Sequence, residues 1–95
     1  MDLNELHQRR SEILQLATHY GASNVRVFGS VARGKADQES DIDLLVDLAP
    51  DRTLLDLGGL LMDLNSLLGV PVDVMTEEIL RDQIRERAVR EAVLL

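Results

Sequence analysis

Apolar residues recur along this chain with two different periods, and the places where the period changes mark out its elements. Leu3, Leu6, Ile13, Ala17 and Tyr20 fall at three- and four-residue steps, the spacing of one helix face. Asp2 followed by Glu5 can close a capping box at the start of that helix, and Gly21 supplies a C-terminal stop. "NVRVF", residues 24–28, reads as a short strand ended by Gly29 and Ser30, with Ser30 placed to cap a one-turn helix through Arg33. Residues 34–40 read as loop. "DIDLLVDL" (41–48) is expected as the second strand and "VPVDVM" (70–75) as the third, both apolar enough on both faces to lie inside a sheet rather than at its edge. Between them Thr53 and Asp56 can form another capping box, opening a helix that runs to Leu68 and stops at Gly69. Thr76, with Glu77 and Glu78 in the first turn, is expected to start a last helix that reaches the C-terminus. The order α, β, short α, β, α, β, α contains no linker, repeat or low-complexity stretch. It predicts a single domain over residues 1–95, a three-stranded α/β layer.

The helix over 53–68 carries a second message. Asp56, Gly59, Asp63 and Ser66 fall on one narrow stripe, while Leu54, Leu55, Leu57, Leu60, Leu61, Met62, Leu64, Leu67 and Leu68 cover most of the circumference. A helix apolar nearly all round is buried on more than one side, and a small sheet covers only one. The remainder is expected to meet either another chain or the first or last helix of this one.

Against this apolar background two positions stand out. Asp41 and Asp43 are one residue apart in an apolar run, where an unpaired charge is costly to bury. Side chains two apart on a strand project from the same face, so these carboxylates share one space while Ile42 and Leu44 take the other. Paired carboxylates repel unless a proton or a cation intervenes, and hard oxygen ligands of this kind suit Mg²⁺, which usually takes one or two of them together with substrate phosphates. Gly29 permits close backbone approach, and Ser30 opens a helical turn whose N–H groups favour an anion. In Val72-Asp73-Val74 the valines share a face and Asp73 takes the other, placed to orient or deprotonate an acceptor hydroxyl in an in-line displacement. From the residues themselves the expectation is a metal-phosphate site.

Composition narrows the partners. A formal net charge of -7 argues against unaided binding of long nucleic acid, which depends on Lys and Arg neutralising phosphates. The chain has no cysteine, hence neither disulfides nor a thiolate metal site. Its apolar runs fall far short of the roughly 20 residues that span a bilayer, and MDLNELHQRR does not read as a secretory signal, so a cytoplasmic protein is expected. His7 and His19 have no second metal ligand at useful spacing and read as surface residues. Arg81, Arg85, Arg87 and Arg90 read as solvated, paired with Glu78, Asp82, Glu86 and Glu91.

Gly29-Ser30, ten residues, Asp41-Ile42-Asp43 and the later Val72-Asp73-Val74 resemble the signature of the DNA polymerase beta nucleotidyltransferase superfamily. The longer stretches "FGSVARGKADQESDIDLLVD" and "TLLDLGGLLMDLNSLLGVPVDVMT" resemble the minimal nucleotidyltransferases, one-domain proteins paired with HEPN-domain partners in prokaryotic toxin-antitoxin modules. The resemblance implies a small nucleotidyltransferase fold, a mixed sheet flanked by helices. It implies that Asp41 and Asp43 bind Mg²⁺ and the nucleotide triphosphate, that Gly29 and Ser30 hold phosphate, and that Asp73 completes the site as the third acid and metal ligand. Arg33 and Ser40 also match the family pattern and are carried as nucleotide-binding residues. The activity implied is transfer of AMP from ATP to a hydroxyl, in the antitoxin members a tyrosine of the HEPN toxin. A binding-only antitoxin and a nucleotide-sensing module without turnover are the alternatives, and pairing through the helix over 53–68 or the terminal helices would give a homodimer.

Overall fold

The computed structural model describes residues 1–34 and 41–95. The first helical run is interrupted: α1 (Leu3–Gln8) and α2 (Arg10–His19) meet at Arg9, which takes φ -103° and ψ 16°. The expected single helix is thus two, and Leu6 and Ile13, on either side of the break, are both fully buried in one core. Asp2 caps α1 by accepting from the Glu5 N–H at 2.9 Å. Gly21, at φ +76°, ends α2 in the left-handed conformation that follows a last helical turn.

The chain continues through β1 (Ala22–Phe28), the single turn α3 (Gly29–Ala32), β2 (Ile42–Leu48), α4 (Leu54–Leu68), β3 (Val72–Met75), α5 (Asp82–Glu91) and β4 (Val93–Leu94). The strands form one sheet in the order β3-β2-β1-β4, with β2 and β3 parallel and the other neighbours antiparallel. The sheet is mixed as expected, but it has four strands. The last helix ends at Glu91, Ala92 turns extended, and Val93 and Leu94 pair with Val27 and Arg26. Leu95 drives this addition: its N–H donates to Val25 O at 3.0 Å and its side chain is buried in the main core. Thr76 does not begin that helix. Its carbonyl accepts from Ile79 and Leu80 in one isolated turn, Arg81 is extended, and α5 starts at Asp82. Burial of Leu80 against Leu45 and Ala88 fixes the turn in place.

The two sheet faces are covered unequally. Ile42, Leu44, Val46, Val72, Val74, Val25 and Val27 pack with α1, α2 and α4 in the main core. On the opposite face, among the described residues, Phe28, Leu45 and Met75 cluster with Leu80 and Ala88, from α5 and the turn before it. The third strand, expected in the interior of the sheet, is an edge strand. Its valine face is buried, while its other face carries the exposed Asp73 and the partly buried Met75.

The helix over 54–68 is built as its sequence requires. The Thr53 hydroxyl accepts from Leu55 N–H at 3.2 Å, the Thr53 N–H donates to Asp56 Oδ2 at 3.0 Å, and Gly69 takes φ +69°. Leu57, Leu60, Leu64 and Leu68 enter the core. Same-chain packing covers part of the remainder, with Leu61 and Leu67 partly buried against the core, and it also covers the polar stripe: Tyr20 lies on Gly59, where a Cβ would collide with its ring, and its hydroxyl donates to Asp63 Oδ2 at 2.5 Å. That bond, more than burial, raises the Tyr20 pKa. Leu54, Leu55 and Met62 remain 69%, 87% and 71% exposed.

Candidate functional site

Asp43 and Asp73 are register partners in the parallel ladder of β2 and β3. Partners on adjacent strands show their side chains on the same side, so the two carboxylates stand side by side on the thinly covered face. Asp41 immediately precedes β2, is exposed, and shares with Asp73 a cavity of about 440 Å³ whose wall includes Leu61, Met62 and Asn65. On the other side of Asp43 lies its β1 partner Phe28, followed by Gly29. Gly29 adopts φ +75°, and a Cβ there would run into Asp43 Oδ2. Glycine is therefore required twice, by the turn out of β1 and by the carboxylate lying against it.

A second cavity, about 400 Å³, opens between α3 and α5 and is lined by Phe28, Gly29, Arg33, Ile84, Arg87 and Glu91 among others. Arg33 Nη1 donates to Glu91 Oε2 at 3.0 Å, and Arg87 Nε donates to Glu91 Oε1 at 3.1 Å. Arg87 foremost, then Arg33, holds the Glu91 carboxyl below its usual range. Asp43 is shifted the other way. Burial raises its pKa most, the charges of Asp73 and Asp41 add to the rise, and Arg33 opposes it.

Of the predicted residues, the fold gathers Asp41, Asp43, Asp73 and Gly29 at one end of the sheet, with Arg33 close enough to act on Asp43. Ser30 is half-buried in α3 but does not cap it. The turn begins one residue earlier, at Gly29, with Phe28 in the cap position and no side-chain cap bond. The positive φ of Gly29 sends the chain straight from strand into helical turn, which leaves Ser30 inside it. Ser40 lies outside the described residues. The donor set suits a hard cation: all three acids offer oxygen, and Asp43 is half-buried beside two like charges. Among the described residues, no group of three or more His, Asp or Glu side chains is arranged to hold a metal ion as it stands.

Sequence reasoning passed over Asn65, Arg87 and Glu91. Arg87 and Glu91 are four apart on a helix and read as an ordinary solvated pair, and only the fold brings Arg33 to them. Asn65 did carry a signal, a weak helix former within a leucine-rich helix.

These features define a class. The chain belongs to the nucleotidyltransferase domain family, whose model matches residues 8–95, and nucleotidyl transfer is the class of reaction that goes with it. It is 37% identical over 79 residues to "Protein adenylyltransferase MntA" of Thermococcus cleftensis, covering 83% of this chain and 80% of that one. A solved "putative minimal nucleotidyltransferase" superposes with a TM-score of 0.87 at 50% identity, covering 100% of this chain and 97% of its own. A chain in a crystal structure of a toxin-antitoxin with AMP-PNP shares the fold, with a TM-score of 0.75 at 22% identity over 88% of this chain and 69% of its own. Among the described residues no helix is long and apolar enough to cross a membrane.

Proposed function

We propose that this chain transfers AMP from ATP, with Mg²⁺, to a hydroxyl on a protein partner, and that it acts as the antitoxin of a HEPN-domain toxin whose acceptor is a tyrosine. The observation that carries the reading is the register of Asp43 beside Asp73, with Gly29 against the first and Asp41 sharing a cavity with the second. The names of the similar adenylyltransferase and of the toxin-antitoxin complex with AMP-PNP support it.

Each group has a defined task in this reaction. Asp41 and Asp43 are the residues that would hold Mg²⁺, which, when bound, neutralises phosphate charge and favours attack at the α-phosphorus. Two carboxylates plus phosphate oxygens are an ordinary ligand set for this ion, and such a set needs no preformed cage of three acids. Gly29 and Ser30 lie where the backbone can approach phosphate closely, and Arg33 supplies a guanidinium on the same side. Asp73 accepts the proton of the attacking hydroxyl, or orients it, from the cavity it shares with Asp41, as the new oxygen–phosphorus bond forms, the bond from the α-phosphorus to the bridging oxygen breaks and pyrophosphate leaves.

The partner's approach is marked by exposed apolar surface. Met62 belongs both to the uncovered side of α4 and to the wall of the cavity containing Asp41 and Asp73. A partner seated on Leu55 and Met62 would lie beside the cavity that holds Asp41 and Asp73. The test is incubation of the chain, alone and with proteins copurifying from its host, with Mg²⁺ and ATP labelled at the α-phosphate. Label on a small partner supports the reading. Tight copurification without label replaces it with a binding-only antitoxin.

A further inference from the structure

We infer that Asn65 is the positioning residue for Asp73, its carboxamide serving as a one-residue substitute for a neighbouring strand at the edge of β3; this inference rests on the adenylyl-transfer reading. In a parallel ladder, alternate residues turn their backbone groups toward opposite neighbours. Ile42 N–H donates to Pro71 O at 3.0 Å, so residues 71 and 73 face β2 and Val72 faces outward. At that outer edge stands a side chain of α4. Asn65 Oδ1 accepts from Val72 N–H at 3.1 Å, and its Nδ2 donates to Val72 O at 3.0 Å. These are the two bonds another strand would make with that residue. A third bond, Nδ2 to Leu61 O at 2.7 Å, fixes the carboxamide against its own helix.

The consequence concerns chemistry more than stability. The strand that carries Asp73 is only four residues long and lies at the sheet edge, where backbone groups are otherwise unpaired. Asn65 locks the residue directly before Asp73 to a helix anchored in the core by Leu60, Leu64 and Leu68. Among the described residues, Asn65 is also the one uncharged hydrogen-bonding side chain lining the cavity of Asp41 and Asp73. Asparagine is a poor helix former, and its position in this apolar helix is explained by these three bonds. A misplacement of about 1 Å at a reacting group costs roughly 10²-fold in rate, so a frayed start of β3 would be felt at Asp73 first.

The experiment compares wild type, Asn65→Ala, Asp73→Asn and the double variant, each with the copurified partner. Asn65→Ala is expected to speed amide exchange at Val72 about tenfold or more while Leu60 and Leu64 keep their protection. Its Kd for Mg²⁺-ATP should stay within about twofold of wild type, and AMP transfer at saturating nucleotide should fall roughly 10- to 100-fold. The double variant should be no slower than Asp73→Asn alone, because one role is removed twice. Unchanged exchange at Val72, transfer at the wild-type rate, a loss seen only in nucleotide affinity, or losses that add in the double variant each overturn the assignment. Absence of transfer by wild type overturns the adenylyl-transfer reading instead, and Val72 exchange then decides the strand-substitute role. Should Asn65→Ala not fold, Asn65→Leu, of similar size and lacking all three bonds, is read by the same Val72 exchange and transfer measurements.

Discussion

At the start of α4, Asp56 accepts from the Thr53 N–H at 3.0 Å and from Arg52 Nη1 at 3.2 Å. The first of these bonds, with help from Arg52, lowers its pKa. On β2, Asp43 is half-buried beside Asp73 and Asp41, and burial above all raises its pKa, with Arg33 opposing. The two aspartates belong to one small chain and lie at ends of regular elements, yet among the described residues one is met by hydrogen-bond donors and the other by like charges. Where the protein supplies donors, a carboxylate stabilises structure. Where like charges are set beside it, the carboxylate is left suited to a cation, and under the proposed function that cation would arrive with a polyphosphate.

The comparison breaks most sharply in turnover. Asp41→Asn and Asp43→Asn should each lower AMP transfer by about 10²- to 10⁴-fold, the several kcal/mol that metal-assisted charge stabilisation contributes at 1.36 kcal/mol per decade. Both should keep the circular dichroism of the wild type. Asp56→Asn, which touches the helix cap and Arg52 and none of the three acids, should transfer AMP at close to the wild-type rate. Wild-type turnover in either site variant, or a comparable loss in Asp56→Asn, would remove the functional distinction between the two regions.

The next effect is thermal. A ligand that binds only the folded state adds RT ln(1 + [L]/Kd), about 2.7 kcal/mol at a hundredfold excess over Kd, which for a domain this small is a rise on the order of 10 °C. Millimolar Mg²⁺ with ATP should raise the Tm of the wild type by that amount, beyond the effect of NaCl at equal ionic strength. It should do the same for Asp56→Asn and nothing for the Asp41→Asn, Asp43→Asn double variant. A double variant that still responds would show that these aspartates do not bind the ligand.

The two regions also differ in how they could be read from the chain. The cap of α4 is a local matter: Thr53, Asp56 and Gly69 state its start and stop within the helix itself, and the structure follows them residue by residue. The acids were legible for a similar reason, since a two-residue alternation fixes which side chains share a face, and the register of β2 and β3 then sets Asp43 beside Asp73. What eluded the sequence depends on distant partners. The strand Val93–Leu94 has no periodicity to display and forms because β1 has an open edge and Leu95 finds space in the core. The edge position of β3, the break at Arg9 and the link of Arg33 through Glu91 to Arg87 likewise exist only once the layers are assembled. Asn65 is the intermediate case, conspicuous by type but given meaning only by the backbone of Val72.

The smallest effect tests the comparison in the metal-free protein, where the two shifts have opposite signs. A carboxyl whose pKa is raised on folding contributes stability that is present below the ordinary aspartate range and is lost as pH rises through the folded value. Asp43 is that case, so at neutral pH its ionised form opposes folding, and Asp43→Asn should melt a few degrees above wild type. A carboxyl whose pKa is lowered contributes stability present above the ordinary range and lost as pH falls through the folded value. Asp56 is that case, so Asp56→Asn should melt below wild type at neutral pH. Acid should close both gaps for opposite reasons: Asp43 becomes neutral and ceases to oppose folding, while Asp56 becomes neutral and ceases to assist it. Melting curves without divalent cation, taken from neutral pH down to below the aspartate range, check this directly. An Asp43→Asn variant that melts below wild type at neutral pH would mean that the carboxylate is held by structure after all. Asp43 would then belong with Asp56, and the contrast between the two regions would not hold.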